Sequence, residues 1–205
     1  MKGFFNLFAM SAKEFLKLRT ITVTAMLIAA SMFIEMFAID IGFVKLNFAF
    51  IAIAVIGMLF GPCVGFVSGM CCDIVGFLAH PSSAFLPAYV LVAGLQGLIY
   101  GMVLYYKAFD GINFIQNSKV KKNITFMVRI VIARLCDVIF INLIMNTSLN
   151  LHYGFIPQQA FGTAIVARVA KNALELALDL PLLFVVLPAA LMAYKRVFRT
   201  LTRRA

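Results

Sequence analysis

The sequence predicts an all-α membrane protein, a six-transmembrane-helix bundle with both termini cytoplasmic. Three observations lead there. Of 205 residues, 63% are apolar and only 13% charged, with a mean hydropathy of +1.01; a soluble domain is nearer half apolar and a quarter charged. Six apolar segments can be drawn, at about 18–38, 47–60, 63–79, 86–106, 123–150 and 160–194, and at about 20 residues per span they fill the chain. Thirteen of its 18 Lys and Arg fall in three short stretches, around Lys2 to Arg19, Lys107 to Lys122 and Lys195 to Arg204. An even number of spans puts all three on one side, and basic loops mark the cytoplasm.

Each element has its own signals. Residues 1–17 are expected to form a cytoplasmic N-terminal segment, 18–197 the six-helix transmembrane domain and 198–205 a basic cytoplasmic tail. The opening apolar run is too short for a removable signal peptide. Span one follows Lys17-Leu18-Arg19 and ends near Glu35 and Asp40. Span two stops at Gly61-Pro62, where proline drives the preceding residue out of helical geometry. Span three carries Asp73 and ends at His80-Pro81-Ser82-Ser83; span four ends on Tyr105-Tyr106-Lys107, an interfacial anchor. Residues 108–122 are the one extended polar connection. Gly57, Gly61, Gly65 and Gly69, then Gly94, Gly97 and Gly101, predict close packing among spans two to four. Ala25 and Ala29 give span one a small face, which by itself suits an internal packing seam.

The net charge of +10 would suggest nucleic acid in a soluble protein, but its distribution reads as membrane topology, and no nucleic-acid partner is expected. Cys63, Cys71, Cys72 and Cys136 lie in apolar stretches without His or acids at zinc-site spacing, so they read as small buried residues and no metal is expected. Hydrolase, metalloprotease and phosphate-loop motifs are absent, so the chain is not expected to be an enzyme, and uphill transport would need an ion gradient or a separate ATPase.

Charges inside hydrocarbon cost at least about 2.5–3.5 kcal/mol each on insertion scales, so they face a cavity or a partner. Here they are Asp73, Arg134, Asp137, Arg168, Lys171, Glu175 and Asp179. The last four, spaced three, four and four, share one face of the final helix. Arg134 and Asp137 stand three apart on span five, with Asn142, Asn146 and Asn150 toward its outer end. These groups either line a polar cavity in the outer half of the bundle or neutralise each other as Arg134 with Asp137 and Lys171 with Glu175. Positive charge at Arg168 and Lys171 opposes the topology bias, and an anionic ligand would account for it.

The run Leu59-Phe60-Gly61-Pro62-Cys63-Val64-Gly65-Phe66, then Asp73-Ile74-Val75-Gly76, Pro81-Ser82, Phe85-Leu86-Pro87 and Gly97-Leu98-Ile99-Tyr100-Gly101, resembles the substrate-binding (S) components of energy-coupling factor (ECF) vitamin transporters, and within them the folate branch. Asn146-Thr147 and Ala167-Arg168-Val169-Ala170-Lys171-Asn172 are similar to that branch's fifth- and sixth-span motifs. The chain departs from the branch at Ala52, at Pro87-Ala88-Tyr89, in the acidic Glu175 and Asp179, and in having no tryptophan.

The resemblance implies a bacterial cell-membrane, multi-pass protein that binds folate or a related vitamin outside. It would deliver that ligand with an ECF transmembrane coupling subunit and two ATPase subunits, without a cofactor. It also implies roles. Arg168 and Lys171 would meet carboxylates; Asn146 and Asn172 would hydrogen-bond the ring or amide; Phe85 and Tyr89 would stack on aromatic parts. Lys45, Asn47 and Asp73 are further ligand-binding candidates, and Ala25 and Ala29 would face the coupling subunit. An S component for another vitamin or precursor is the nearest alternative. An ion-coupled secondary transporter, which should show repeat symmetry, is a more distant one.

Overall fold

The computed structural model describes residues 2–36, 39–41, 44–46, 50–79, 85–108, 119–155 and 161–202. Its elements run α1 (Lys2–Glu14), α2 (Leu18–Met36), a hairpin of β1 (Ile39–Ile41) and β2 (Val44–Leu46), α3 (Phe50–Phe60), α4 (Pro62–Ala79) and α5 (Pro87–Leu104). They continue with α6 (Lys119–Cys136), a π-helical stretch (Asp137–Met145), α7 (Asn146–His152) and α8 (Phe161–Thr202). The hairpin pairs antiparallel, Asp40 opposite Lys45.

Each predicted apolar segment falls on a helical element, α6, the π stretch and α7 forming the fifth. Among the described residues, three helices are long and apolar enough to cross a membrane alone: Pro62–Ala79, Pro87–Ala108 and Ile165–Val197; a fourth counts if the bent pair α1 and α2 is one span. The counts differ for physical reasons. The α3 helix has 11 residues, about 16 Å at 1.5 Å per residue. The α6 helix opens on three lysines and carries Arg129 and Arg134.

At the centre stands α3, every one of its residues buried. Ile56, Met58 and Phe60 are joined in the core by Tyr100 and Leu104 of α5, Ile130 of α6, and Leu183 and Leu187 of α8. The tightest packing is between α4 and α5, where the glycine series predicted it. A Cβ on Gly65 or Gly97 would run into the other glycine's carbonyl oxygen, and one on Gly57 would stand 2.7 Å from the Gly101 nitrogen.

The turn between α3 and α4 combines Gly61 at φ +88° with Pro62 at the head of α4. Its polar groups are satisfied from far away in sequence. The Ser11 hydroxyl of α1 donates to the Phe60 carbonyl at 2.8 Å and accepts from the Cys63 and Val64 amides at 3.0 and 3.4 Å. It thus caps the end of α3 and the start of α4 together.

At the α1–α2 elbow the buried Glu14 accepts from Lys107 (2.6 Å), Lys17 (2.8 Å) and the Thr20 hydroxyl (3.3 Å). Burial alone would raise its carboxyl, but the ion pairs with Lys107 and Lys17 outweigh that and hold it below the ordinary 4.5. Helix α8 is unbroken through Pro181 and Pro188 and continues to Thr202. The cysteines are free, Cys72 buried and Cys63, Cys71 and Cys136 only half-buried, short of the burial their apolar setting predicted.

Candidate functional site

Two polar assemblies stand inside the bundle. The deeper one gathers residues from four helices. Arg134 bridges Asp137 and Asp179, placing α6, the π stretch and α8 in one ion triad. From α5, Gln96 donates to Asp137 at 3.2 Å and the Tyr100 hydroxyl also donates to Asp137, at 3.3 Å, while Arg134 donates to that hydroxyl at 3.2 Å. The Phe50 ring of α3 lies 4.2 Å from the guanidinium carbon, at cation–π range. The three charged side chains are at most 5% exposed. The sequence spacing paired Arg134 with Asp137 correctly; Asp179, predicted to share a face with Arg168 and Lys171, closes this triad instead. One guanidinium between two carboxylates has no charge to spare for an anion, so this assembly fastens helices.

The second assembly lies toward the far end of the same helices. Tyr89 sits in the first turn of α5, its backbone amide bonded to the Leu86 carbonyl at 3.0 Å. Its hydroxyl donates to Asn150 of α7 at 2.8 Å. The Tyr89 ring stacks near that of Tyr153, centroids 6.3 Å apart at 29°, and Tyr153 meets His152 and Phe155 in turn. Tyr153 is placed by the end of α7. Gly154, at φ +73°, takes the left-handed position that stops a helix, with the Tyr153 amide on the Leu149 carbonyl and the Phe155 amide on the Asn150 carbonyl, both 2.9 Å.

Across from α7, Arg168 of α8 is half-buried and donates to the Thr147 hydroxyl at 3.4 Å. Asn146 donates to Asn142 at 3.3 Å. Lys171 pairs with Glu175 at 3.5 Å while 40% exposed, and Asn172 is buried on the same helix.

Tyr89, Asn146 and Arg168 are thereby brought to one end of α5, α7 and α8, with Lys171 and Asn172 one turn along. Phe85 stands apart, its ring 5.1 Å from Phe77 of α4. Asp73 is half-buried on α4, where Glu35 of α2 reaches over the neighbouring turn, so that a Cβ on Gly76 would stand 3.4 Å from its carboxylate. Asn47 and the side chain of Lys45 lie outside the described residues. Ala25 and Ala29 are exposed, as are Ile21, Thr22, Met26 and Ala30, so this small face of α2 is not a seam inside the chain.

An open groove of about 620 Å³ runs between α7 and α8, lined by Leu143, Ile144, Thr147, Ser148, Leu151, His152 and Ile165. It uses another face of α7 from Asn146 and Asn150, and most of its wall is apolar. Among the described residues, no cluster of three or more His, Cys, Asp or Glu could hold a metal.

Sequence reasoning did not pick out Tyr153, Gln96 or Tyr100. The first is announced only by the Tyr153-Gly154 pair, where a glycine follows a helical run; the others look like ordinary residues of an apolar span.

Fold and composition together define a helical, membrane-embedded protein with a polar cluster at one end of its helices. The family described as "ECF transporter, substrate-specific component" matches residues 19–187, and the chain belongs to it; it is an integral membrane protein and not an enzyme. The chain is similar to the folate transporter FolT of Clostridium novyi (strain NT), with 27% identity over 142 residues, 69% of this chain and 72% of that protein. It is also similar to a crystal structure of FolT bound with folic acid, at a TM-score of 0.63 and 28% identity, covering 80% of this chain and 91% of the other.

Proposed function

We propose that this chain is the folate-binding subunit of an ATP-driven ECF uptake transporter. In this reading both termini are cytoplasmic, the vitamin is captured outside at the Tyr89, Asn146 and Arg168 end, and a coupling subunit with two ATPases drives delivery. The likeness to FolT with folic acid over four-fifths of the chain carries the ligand assignment, and the side chains at that end supply suitable chemistry.

Folate offers a flat ring with donors and acceptors, an aromatic linker and two carboxylates. Arg168 is the group best placed for a carboxylate, because its present partner is only a hydroxyl at 3.4 Å and a charged bidentate bond would be the stronger alternative. Lys171 is the second, since its pair with Glu175 is long, at 3.5 Å, and the lysine is 40% exposed. Asn146 and Asn172 would serve the ring or the amide. Tyr89 would stack, and Phe85, Asp73, Lys45 and Asn47 would contribute from the neighbouring loops and helix. The exposed Ala25 and Ala29 stripe would receive the coupling subunit, where small residues allow close helix approach.

The departures at Ala52 and at Pro87-Ala88-Tyr89, the second of which includes Tyr89 of this end, favour another vitamin as the second reading. Mass spectrometry of small molecules released from the purified protein tests the two. Folate supports the first; a different heterocyclic vitamin in stoichiometric amount would replace it.

A further inference from the structure

Helix α1 neither continues the line of α2 nor trails free. Its axis turns 86° from that of α2. With α2 read as a span, as the proposed function has it, α1 would lie along the membrane plane. It is also fixed there. Ser11 caps the α3–α4 turn, Glu14 is pinned by Lys107 of the α5 end, and the Cys63 thiol contacts the Phe8 carbonyl at 3.6 Å.

The faces of α1 sort by chemistry. Leu7, Ser11 and Glu14, spaced four and three, are buried against the bundle. Phe5, Ala9 and Ala12, spaced four and three on an adjacent face and leading to Leu16 at the elbow, are exposed, Phe5 at 71% and Leu16 at 88%. Asn6 and Lys13, seven apart, are exposed on the side beyond. One strip thus meets protein, the next is apolar and outward, and the third is polar.

We propose that α1 is an interfacial helix whose outward apolar strip, Phe5, Ala12 and Leu16, seats in the headgroup–acyl boundary of the bilayer, with Asn6 and Lys13 toward water. An amphipathic helix in the membrane plane buries its apolar face to about 5–10 Å. Because Ser11 and Glu14 bind α1 rigidly to α3, α4 and α5, the helix acts as an outrigger that sets how the bundle sits in the membrane.

The sequence contains no tryptophan, so single-tryptophan variants report without background. Phe5→Trp, Leu16→Trp and Asn6→Trp would each be placed in the full chain, reconstituted in nanodiscs containing acyl-brominated phosphatidylcholine. Quenching several-fold stronger at Phe5→Trp and Leu16→Trp than at Asn6→Trp is the expected result. Leu16→Trp keeps the test open should Phe5→Trp fail to fold. Equal quenching at Phe5→Trp and Asn6→Trp would overturn the proposal. So would water-like emission at Phe5→Trp and Leu16→Trp that becomes shielded only when coupling subunits are added, since the strip would then belong to a protein partner.

Discussion

Replacing Arg134 by methionine would leave Asp137 and Asp179 inside the bundle without their counter-ion. Both carboxylates are at most 5% exposed, so water cannot take over the arginine's role. Breaking a buried pair costs about 3–5 kcal/mol, most of it the penalty of the stranded charge. The loss of the guanidinium over Phe50 adds to this in the same direction. At about 2–4 °C per kcal/mol for a chain of this size, Arg134→Met should lower the melting temperature by roughly 6–20 °C. The four free cysteines, Cys72 among them buried, allow unfolding to be followed in detergent with a thiol-reactive dye. A triple variant, Arg134→Met with Asp137→Leu and Asp179→Leu, should recover most of the loss, because an apolar core of similar volume needs no counter-charge. Two results would refute the reasoning: a single variant melting within about 2 °C of the parent, or a triple variant no more stable than the single.

Arg168→Ala should weaken folate binding by about tenfold or more, the scale of a lost charged hydrogen bond, and Lys171→Ala by less, because Glu175 already neutralises part of that charge; calorimetry measures both. Gly97→Ala, whose methyl would meet the Gly65 carbonyl, should cost about 1–3 kcal/mol or more in the same melting assay. Gly162→Ala, with open space around it, should be neutral or slightly stabilising. Glu14 has a folded pKa held below its unfolded value, so its contribution is present above the unfolded pKa and is lost as pH falls through the folded one. Glu14→Gln should therefore be less stable than the parent at neutral pH and flatten the acid limb below pH 4.5. Ala29→Phe should abolish uptake in cells co-expressing the coupling and ATPase subunits while leaving folate affinity of the isolated chain unchanged; an equal loss of both would place Ala29 elsewhere than at a docking face.

The sequence made the helical membrane class legible because apolar runs, glycine spacing and the Gly61-Pro62 turn each act over a few residues. Long-range pairings were not legible in the same way. Ser11 gives no local sign that it caps a turn 50 residues on, and the 86° elbow is written only in the amphipathic spacing of α1. Asp179 carried the right spacing for the Arg168 face, yet the choice of partner depended on which helix stood opposite. The π stretch beginning at Asp137 is a similar case. Its wider turn lets the Thr147 hydroxyl reach the Asn142 carbonyl at 3.3 Å. In the candidate site, charge that opposes the topology bias singled out Arg168 and Lys171, whereas Tyr153 became visible only beside Tyr89.

Calorimetric titration of the purified chain with folic acid tests the proposed function most directly. The account predicts saturable binding of one folate per chain with a Kd of about 1 µM or tighter, weakened in Arg168→Ala. Absence of binding by a folded, ligand-free protein, together with tight binding of another vitamin, would contradict it.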